Sequence, residues 1–275
     1  MTVNKIWSTS AMAADLTDKD KELYDRQIRV WGVEAQQRMQ SCTVLVSGLN
    51  GVNCEVVKNL VLAGVNVTVH DDGEVSAGDC GANYFVTLND VGKNIAVSSH
   101  AKIQSLNLYA KVDCETRCLS TLGEEYMSNF NVIILSSKIS DGEAMRINEI
   151  CRSHQISFFW SGTFGLDGWF ICDLGETFEF TKDPPHNKEI QRIHFPSLHS
   201  ILNTPWHLLQ SRHSALPKTF MKSRLLAEFR ILKSRGPIPG EEDLEEMRRL
   251  GHQKLQENGL DEGFLDDQLE GLCQS

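Results

Sequence analysis

The stretch of residues 41–72 constrains the fold more than any other part of the chain, because strand-like and helix-like patterns follow one another within it. Residues 43–47 are mostly β-branched or apolar and do not alternate, which is typical of a parallel strand buried on both faces. Apolar residues then recur at helical spacing over 52–62, and Gly64 stands where a helix C-cap is expected. Residues 65–69 form a second apolar run. This order predicts a βαβ unit of the nucleotide-binding type.

Strand and helix patterns continue to alternate up to about residue 161. Thr17 and Asp18 can cap the first helical stretch, which Gly32 interrupts. Alternation of this kind predicts an α/β fold with a doubly wound, Rossmann-like and mostly parallel sheet. Outside the βαβ unit, the predicted strands are 110–114, 131–135 and 156–160, and the predicted helices are 19–40, 89–106, 120–130 and 141–154.

The pattern changes in the second part of the chain. Residues 164–180 are expected to form antiparallel strands that turn at Asp167-Gly168 and at Gly175. After a polar crossover and a short strand at 191–195, amphipathic patterns predict a helical bundle with helices at 217–234, 241–257 and 261–270. The predicted organisation is a flexible tail at 1–14, an α/β domain at 15–181, a crossover at 182–195 and a helical segment at 196–275.

Composition narrows the range of partners. A net charge of −10 argues against general nucleic-acid binding, which needs a basic surface. The eight cysteines form no CxxC pair and no zinc-like spacing, so we expect reduced thiols and no metal site. We also expect no membrane partner, because the N-terminus lacks the apolar core of a signal peptide and no apolar run approaches membrane-spanning length.

The turn after the first predicted strand departs from a dinucleotide-binding loop, which needs glycines where the backbone approaches pyrophosphate. The chain keeps Gly48 but has Asn50 and Asn53 at the next two places, and the additional Gly51 does not replace the second glycine. An asparagine side chain at position 50 projects toward the place of the phosphate oxygens. We therefore expect a βαβ unit retained for packing. Asp71 either holds a ribose, as in the fingerprint, or is a solvated turn residue.

Five sequence motifs stand out: LYDRQIRVWG at 23–32, VLVSGLNGVNCEVVKNLVLAGV at 44–65, GANYF at 81–85, VGKN at 91–94 and FGLDG at 164–168. They occur in the order found in the N-terminal half of the ubiquitin-like-protein-activating enzymes, which have a ThiF/MoeB-type adenylation fold. The chain resembles that family, and most of all its small, separately encoded subunits that serve the modifier SUMO. Such subunits continue after the bundle with a helix and a strand, whereas this sequence stops at Ser275, so a fragment, a splice form and a divergent protein all stay open.

The resemblance implies a division of labour between two related adenylation folds that pack as a pseudo-dimer. One half, a large subunit, binds ATP and magnesium and carries the catalytic cysteine, whereas the half that resembles this chain is a degenerate pseudo-adenylation domain without its own cofactor. The broken loop agrees with this, as does SAGDCGANYF at 76–85 in place of an arginine-bearing segment. No cysteine lies between Cys172 and Cys273. The resemblance further implies indirect contact with SUMO and a nuclear, partly cytoplasmic, location.

Arg26 is the candidate catalytic residue. The resemblance implies that the arginine of the Tyr-Asp-Arg-Gln motif reaches in trans into the partner's ATP site, near the γ-phosphate. Its planar, permanently charged group is suited to pairing with phosphate oxygens. The alternative is a solvated helix arginine, and Arg29 is expected only to flank the interface. The apolar side of 23–33, including Trp31, is either core or part of a subunit interface.

Other functions stay open at this point. The chain can serve another ubiquitin-like modifier, or be half of a single-chain activating enzyme. It can also be a regulatory form that captures the large subunit without turnover. An independent nucleotide-binding oxidoreductase is a further alternative, against which Asn50 and Asn53 argue.

Overall fold

A computed structural model describes residues 15–164, 167–181, 189–209, 218–233 and 240–258. It contains a six-stranded sheet with strand order β3-β2-β1-β4-β5-β6, and strands β1 to β5 pair in parallel. The predicted fold class is confirmed. The strands are β1 (Thr43–Ser47), β2 (Asn66–His70), β3 (Val112–Glu115), β4 (Val132–Ser136), β5 (Ser157–Phe164) and β6 (Asp167–Asp173), and a separate antiparallel ribbon joins β7 (Phe178–Thr181) to β8 (Ile190–Ile193).

Helices connect the strands and continue beyond them. Among the described residues, no helix combines the length and apolar composition needed to span a membrane. The helices are α1 (Asp18–Leu23), α2 (Asp25–Trp31), α3 (Val33–Ser41), α4 (Gly51–Leu62), α5 (Asp79–Ala82), α6 (Ile95–Gln104), α7 (Glu124–Met127), α8 (Asp141–His154), α9 (Leu198–Asn203), α10 (Lys218–Lys233) and α11 (Leu244–Glu257).

The chain divides into two compact units. The first contains the described residues up to Ser161 and Ile171–Ser197, and its core brings β1, β2 and β3 together with α4 and α6. The second contains Gly162–Phe170 and the described residues from Leu198 onward, and in it α10 and α11 enclose an apolar cluster around Phe229 and Met247. The predicted helices 217–234 and 241–257 are confirmed in this unit, whereas the predicted helix 261–270 lies outside the described residues, as does the tail at 1–14.

Several predicted elements are shorter or broken. The predicted helix 19–40 is three helices, because the chain bends at Tyr24 and at Gly32, whose φ of +88° suits glycine. The predicted helix 89–106 begins only at Ile95, since Asn94, not Asn89, accepts the capping hydrogen bond. In place of the predicted helix 120–130 the chain has a 3₁₀ turn and the one-turn helix α7. The expected turn at Asp167-Gly168 is wrong as placed, because Asp167 already belongs to β6.

Candidate functional site

The strand order of the sheet reverses between β1 and β4, since β2 lies on the other side of β1. In open α/β sheets, ligands bind in the crevice outside the carboxyl ends of the strands at such a switch point. Gly48 follows β1 there with a φ of +81°, and a Cβ on it would lie 2.0 Å from the Oγ of Ser136, the last residue of β4. The backbone of the candidate site therefore lies directly against the end of β4.

Replacement of Gly48 by alanine is expected to lower the free energy of unfolding by about 2–4 kcal/mol, because it adds both left-handed strain and a clash with Ser136. Urea unfolding of the two proteins measures the difference. Gly81→Ala is the matched control, since a Cβ at Gly81 meets nothing within 4 Å. Equal stability of the two variants would contradict the close approach at Gly48.

The two loop asparagines bind the loop itself. The side-chain oxygen of Asn50 accepts a hydrogen bond from the backbone N–H of Asn53 (2.9 Å) and so caps α4. Asn53 is fully buried, and its amide nitrogen donates to the carbonyls of Ser47 (3.1 Å) and Gly48 (2.9 Å). Gly51, the first residue of α4, lies against the carbonyl of Ala82. In nucleotide-binding loops, the N–H groups at such a helix terminus bind phosphate. Here one of them, the backbone N–H of Asn53, is already bonded to Asn50.

Asp71 lies beside the same loop. It is 6% exposed, so its interpretation as a solvated turn residue is wrong. Its two carboxylate oxygens accept hydrogen bonds from the backbone N–H groups of Leu49 (2.9 Å) and Gly73 (3.0 Å). The carboxylate therefore joins the end of β2 to the loop after β1, and its role toward a ribose stays a prediction.

Lys138, two residues beyond β4, spans the crevice. Its ammonium lies 3.9 Å from Asp71 Oδ2 and 3.6 Å from Asp79 Oδ1. Burial acts to raise the pKa of Asp79, but hydrogen bonds from Ser76 and the charge of Lys138 outweigh it and hold that pKa below its usual value. Two carboxylates facing one ammonium leave a net negative charge, which does not suit a polyphosphate. Sequence reasoning missed Lys138, although its place just after a predicted central strand was a usable signal.

Four of the described cysteines have thiols whose pKa is raised well above its usual value by burial. Cys54 and Cys151 are buried, and burial raises the pKa of both thiols, that of Cys54 to about 12. Burial likewise raises the pKa values of Cys42 and Cys172 to about 11. Across the described residues, no group of three or more metal-ligating side chains occurs.

The three N-terminal helices dock at the other end of α4. Tyr24 and Gln36 are the buried residues among 18–41. Tyr24 accepts a hydrogen bond from the side chain of Asn107 (2.8 Å), and Gln36 donates to the carbonyl of Ala63 (3.0 Å), the C-cap residue that follows α4. Because α4 has 12 residues, or about 18 Å, these contacts lie far from the loop at its N-terminus.

Arg26 lies on α2, exposed, two residues after Tyr24. No acidic side chain of the described residues pairs with it, whereas the neighbouring Arg29 is held by Asp25 at 2.9 Å. The structure thus separates Arg26 from the other predicted site residues. Those that it brings together at the crevice are Gly48, Asn50, Gly51, Asn53 and Asp71.

Four large apolar side chains on α1, α2 and α3, all within seven residues of Arg26 in the sequence, are exposed, and we call them the N-terminal apolar patch. Their interpretation as core is therefore wrong. Contiguous exposed apolar surface on a protein commonly marks a site of interaction. Members of the patch are Leu23 (50% exposed), Val30 (78%), Trp31 (45%) and Val33 (47%).

A model of the ThiF family matches residues 24–202, and the chain belongs to that family. Among its relatives is SUMO-activating enzyme subunit 1 of Dictyostelium discoideum, which is 31% identical over 258 residues, covering 92% of this chain and 77% of that protein. The protein of the same description from Xenopus tropicalis is 30% identical over 293 residues, covering 94% and 84%. Within the ThiF family, the chain groups with these subunit 1 proteins.

A different kind of relative matches about two thirds of the chain. Ubiquitin-activating enzyme E1 2 of Triticum aestivum is 40% identical over 190 residues, which is 67% of this chain but 18% of that much longer protein. The likeness to it is therefore one of a single region.

Proposed function

We propose that this chain is the small, non-catalytic subunit of a SUMO-activating enzyme and supports adenylation and thioester transfer of SUMO by a large partner subunit. The observation that carries the proposal is the match to SUMO-activating enzyme subunit 1 proteins over more than nine-tenths of the chain. The crevice geometry supports a non-catalytic role. The side chains of Asn50 and Asn53 are hydrogen-bonded to backbone groups of the loop, and the ammonium of Lys138 lies beside the carboxylate of Asp79.

In the proposed reaction, a carboxylate oxygen of the modifier's C-terminal glycine attacks the α-phosphorus of ATP, and pyrophosphate leaves. The resulting mixed anhydride is a good electrophile, so a thiolate of the large subunit attacks its carbonyl carbon and AMP leaves. ATP and magnesium are bound by the large subunit, which also contacts SUMO. Arg26 of this chain pairs in trans with the phosphate oxygens whose negative charge increases as pyrophosphate departs.

The position of α2 supports action in trans. Arg26 lies near the C-terminal end of α4, whereas the chain's own degenerate loop lies at the N-terminal end of the same helix. A helix of about 18 Å separates them, which supports the proposal that Arg26 acts on a nucleotide bound to another subunit. Asp25 neutralises Arg29, which leaves Arg26 as the unpaired cation of α2 within the described part of the chain.

The N-terminal apolar patch supplies the contact that brings Arg26 to the partner. Val30→Asp is expected to weaken binding of the large subunit at least about tenfold, because it places a charge in an apolar contact that excludes water. Leu232→Asp on α10, which is also exposed (59%), is the matched control and is expected to bind normally. Equilibrium binding to a purified SUMO-type large subunit measures both, and normal binding of Val30→Asp would contradict a role of the patch in the interface.

A second candidate function is activation of ubiquitin or another ubiquitin-like modifier, and the 40% match to a wheat ubiquitin-activating enzyme favours it. The length of the match favours SUMO, because the subunit 1 proteins align with almost the whole chain.

For the cellular location of the protein, we propose the nucleus and, in part, the cytoplasm, as the resemblance implies. Exclusion of a fluorescently tagged chain from the nucleus would contradict that proposal.

A further inference from the structure

Tyr24 is the residue through which α2 is attached to the rest of the first unit. It lies between α1 and α2 and is 2% exposed, whereas neither helix contains a buried residue of its own. Tyr24 is therefore the one buried residue between the start of α1 and the end of α2.

The residues that bind the Tyr24 side chain lie at the C-terminal end of α4. Its hydroxyl accepts a hydrogen bond from the Nδ2 of Asn107 (2.8 Å), and the same nitrogen donates to the carbonyl of Val61 in the last turn of α4 (2.9 Å). The Val61 carbonyl also accepts a hydrogen bond from the backbone N–H of Gly64 (3.0 Å), so Asn107 adds a side-chain bond at the end of the helix. Gly64 leaves room for the ring, because a Cβ on it would lie 2.7 Å from the Tyr24 hydroxyl.

Arg26 has no side-chain partner in the described part of the chain that could fix it. Its position therefore depends on the backbone of α2, which begins one residue after Tyr24. We infer that the Tyr24–Asn107 hydrogen bond sets the position of α2 and thereby of Arg26, so that Tyr24 is a positioning residue for the adenylation reaction. The inference rests on the proposed function of Arg26 and names the residue on which that function depends.

The test is Tyr24→Phe in the reconstituted pair, which removes the hydroxyl and keeps the buried ring. Because misplacement of a catalytic group by about 1 Å can cost up to 100-fold, we expect kcat for ATP–pyrophosphate exchange to fall roughly tenfold. The affinity for the large subunit and the KM for ATP are expected to stay the same. Tyr126→Phe, which removes a hydroxyl from another helix of the same unit, is the matched control and is expected to keep the full rate. Thermal unfolding of each variant verifies that it is folded.

A double-mutant cycle separates positioning from a general structural effect. If Tyr24 acts through Arg26, then Tyr24→Phe has no further effect in a chain that already carries Arg26→Ala. Additive losses, or a normal rate for Tyr24→Phe beside a defective Arg26→Ala, would overturn the positioning role and leave the proposed function standing. A normal rate for Arg26→Ala would overturn both.

Discussion

Replacement of Arg26 by alanine is expected to lower the rate of SUMO adenylation by the reconstituted pair roughly 100-fold. The guanidinium is proposed to meet charge that develops only as pyrophosphate departs, and loss of one such preorganised donor typically costs about 100- to 1,000-fold in kcat. Arg26 is exposed and unpaired within the described residues, so the substitution is expected to leave the fold and the complex intact. Single-turnover formation of the SUMO adenylate measures the rate.

Two further variants make this result specific. Arg29→Ala removes a guanidinium three residues away that already pairs with Asp25, and we expect it to have little effect. Arg26→Lys keeps the charge but not the planar fork, so it is expected to restore only part of the rate. Equal losses in Arg26→Ala and Arg29→Ala would point to general charge at the interface, and an unchanged rate in Arg26→Ala would contradict the catalytic role.

Replacement of Asp173 by alanine is expected to lower the free energy of unfolding by about 3–5 kcal/mol, the usual effect of removing one partner from a buried ion pair. Asp173 has a fully buried side chain at the end of β6, where it pairs with Arg152 (2.9 Å) and accepts a hydrogen bond from Asn148 (2.8 Å). Both partners lie on α8, and the backbone N–H of Gly175 donates to the same carboxylate (2.9 Å). The substitution therefore leaves several donors without an acceptor.

Equilibrium unfolding in urea measures this loss of free energy of unfolding. Glu179→Ala is the control, because Glu179 pairs across the β7–β8 ribbon with an arginine that is more than half exposed, and such pairs contribute about 0–1 kcal/mol. We expect the Asp173 variant to lose several times more stability than the control. Similar values for the two variants would contradict a structural role for the buried carboxylate.

The sequence predicted the elements whose pattern is set by burial. The strand 43–47 and the helix 141–154 have the bounds that were predicted, because continuous β-branched runs and helical apolar spacing both report a packed core. The identity of the loop residues also predicted that Asn50 and Asn53 would stand at the crevice. Boundaries failed where several residues can cap a helix, as with Asn89 and Asn94.

Contacts between distant parts of the chain could not be predicted from the sequence. The Tyr24–Asn107 bond joins residues 83 positions apart, and no local pattern indicates it. Lys138 meets Asp71 and Asp79 only because β4 lies next to β1 in the sheet. The exposure of the N-terminal apolar patch was equally hidden, since a sequence pattern shows an apolar side but not whether another part of the chain covers it.

A role as the small subunit of a SUMO-activating enzyme is tested by ATP-dependent thioester formation on a SUMO-type large subunit, with and without this chain. SUMO and ubiquitin are supplied in separate reactions. We expect the thioester to form only when this chain is present and only with SUMO. Thioester formation that does not need the chain, or that proceeds equally well with ubiquitin, would contradict it, as would a stable complex that forms no thioester.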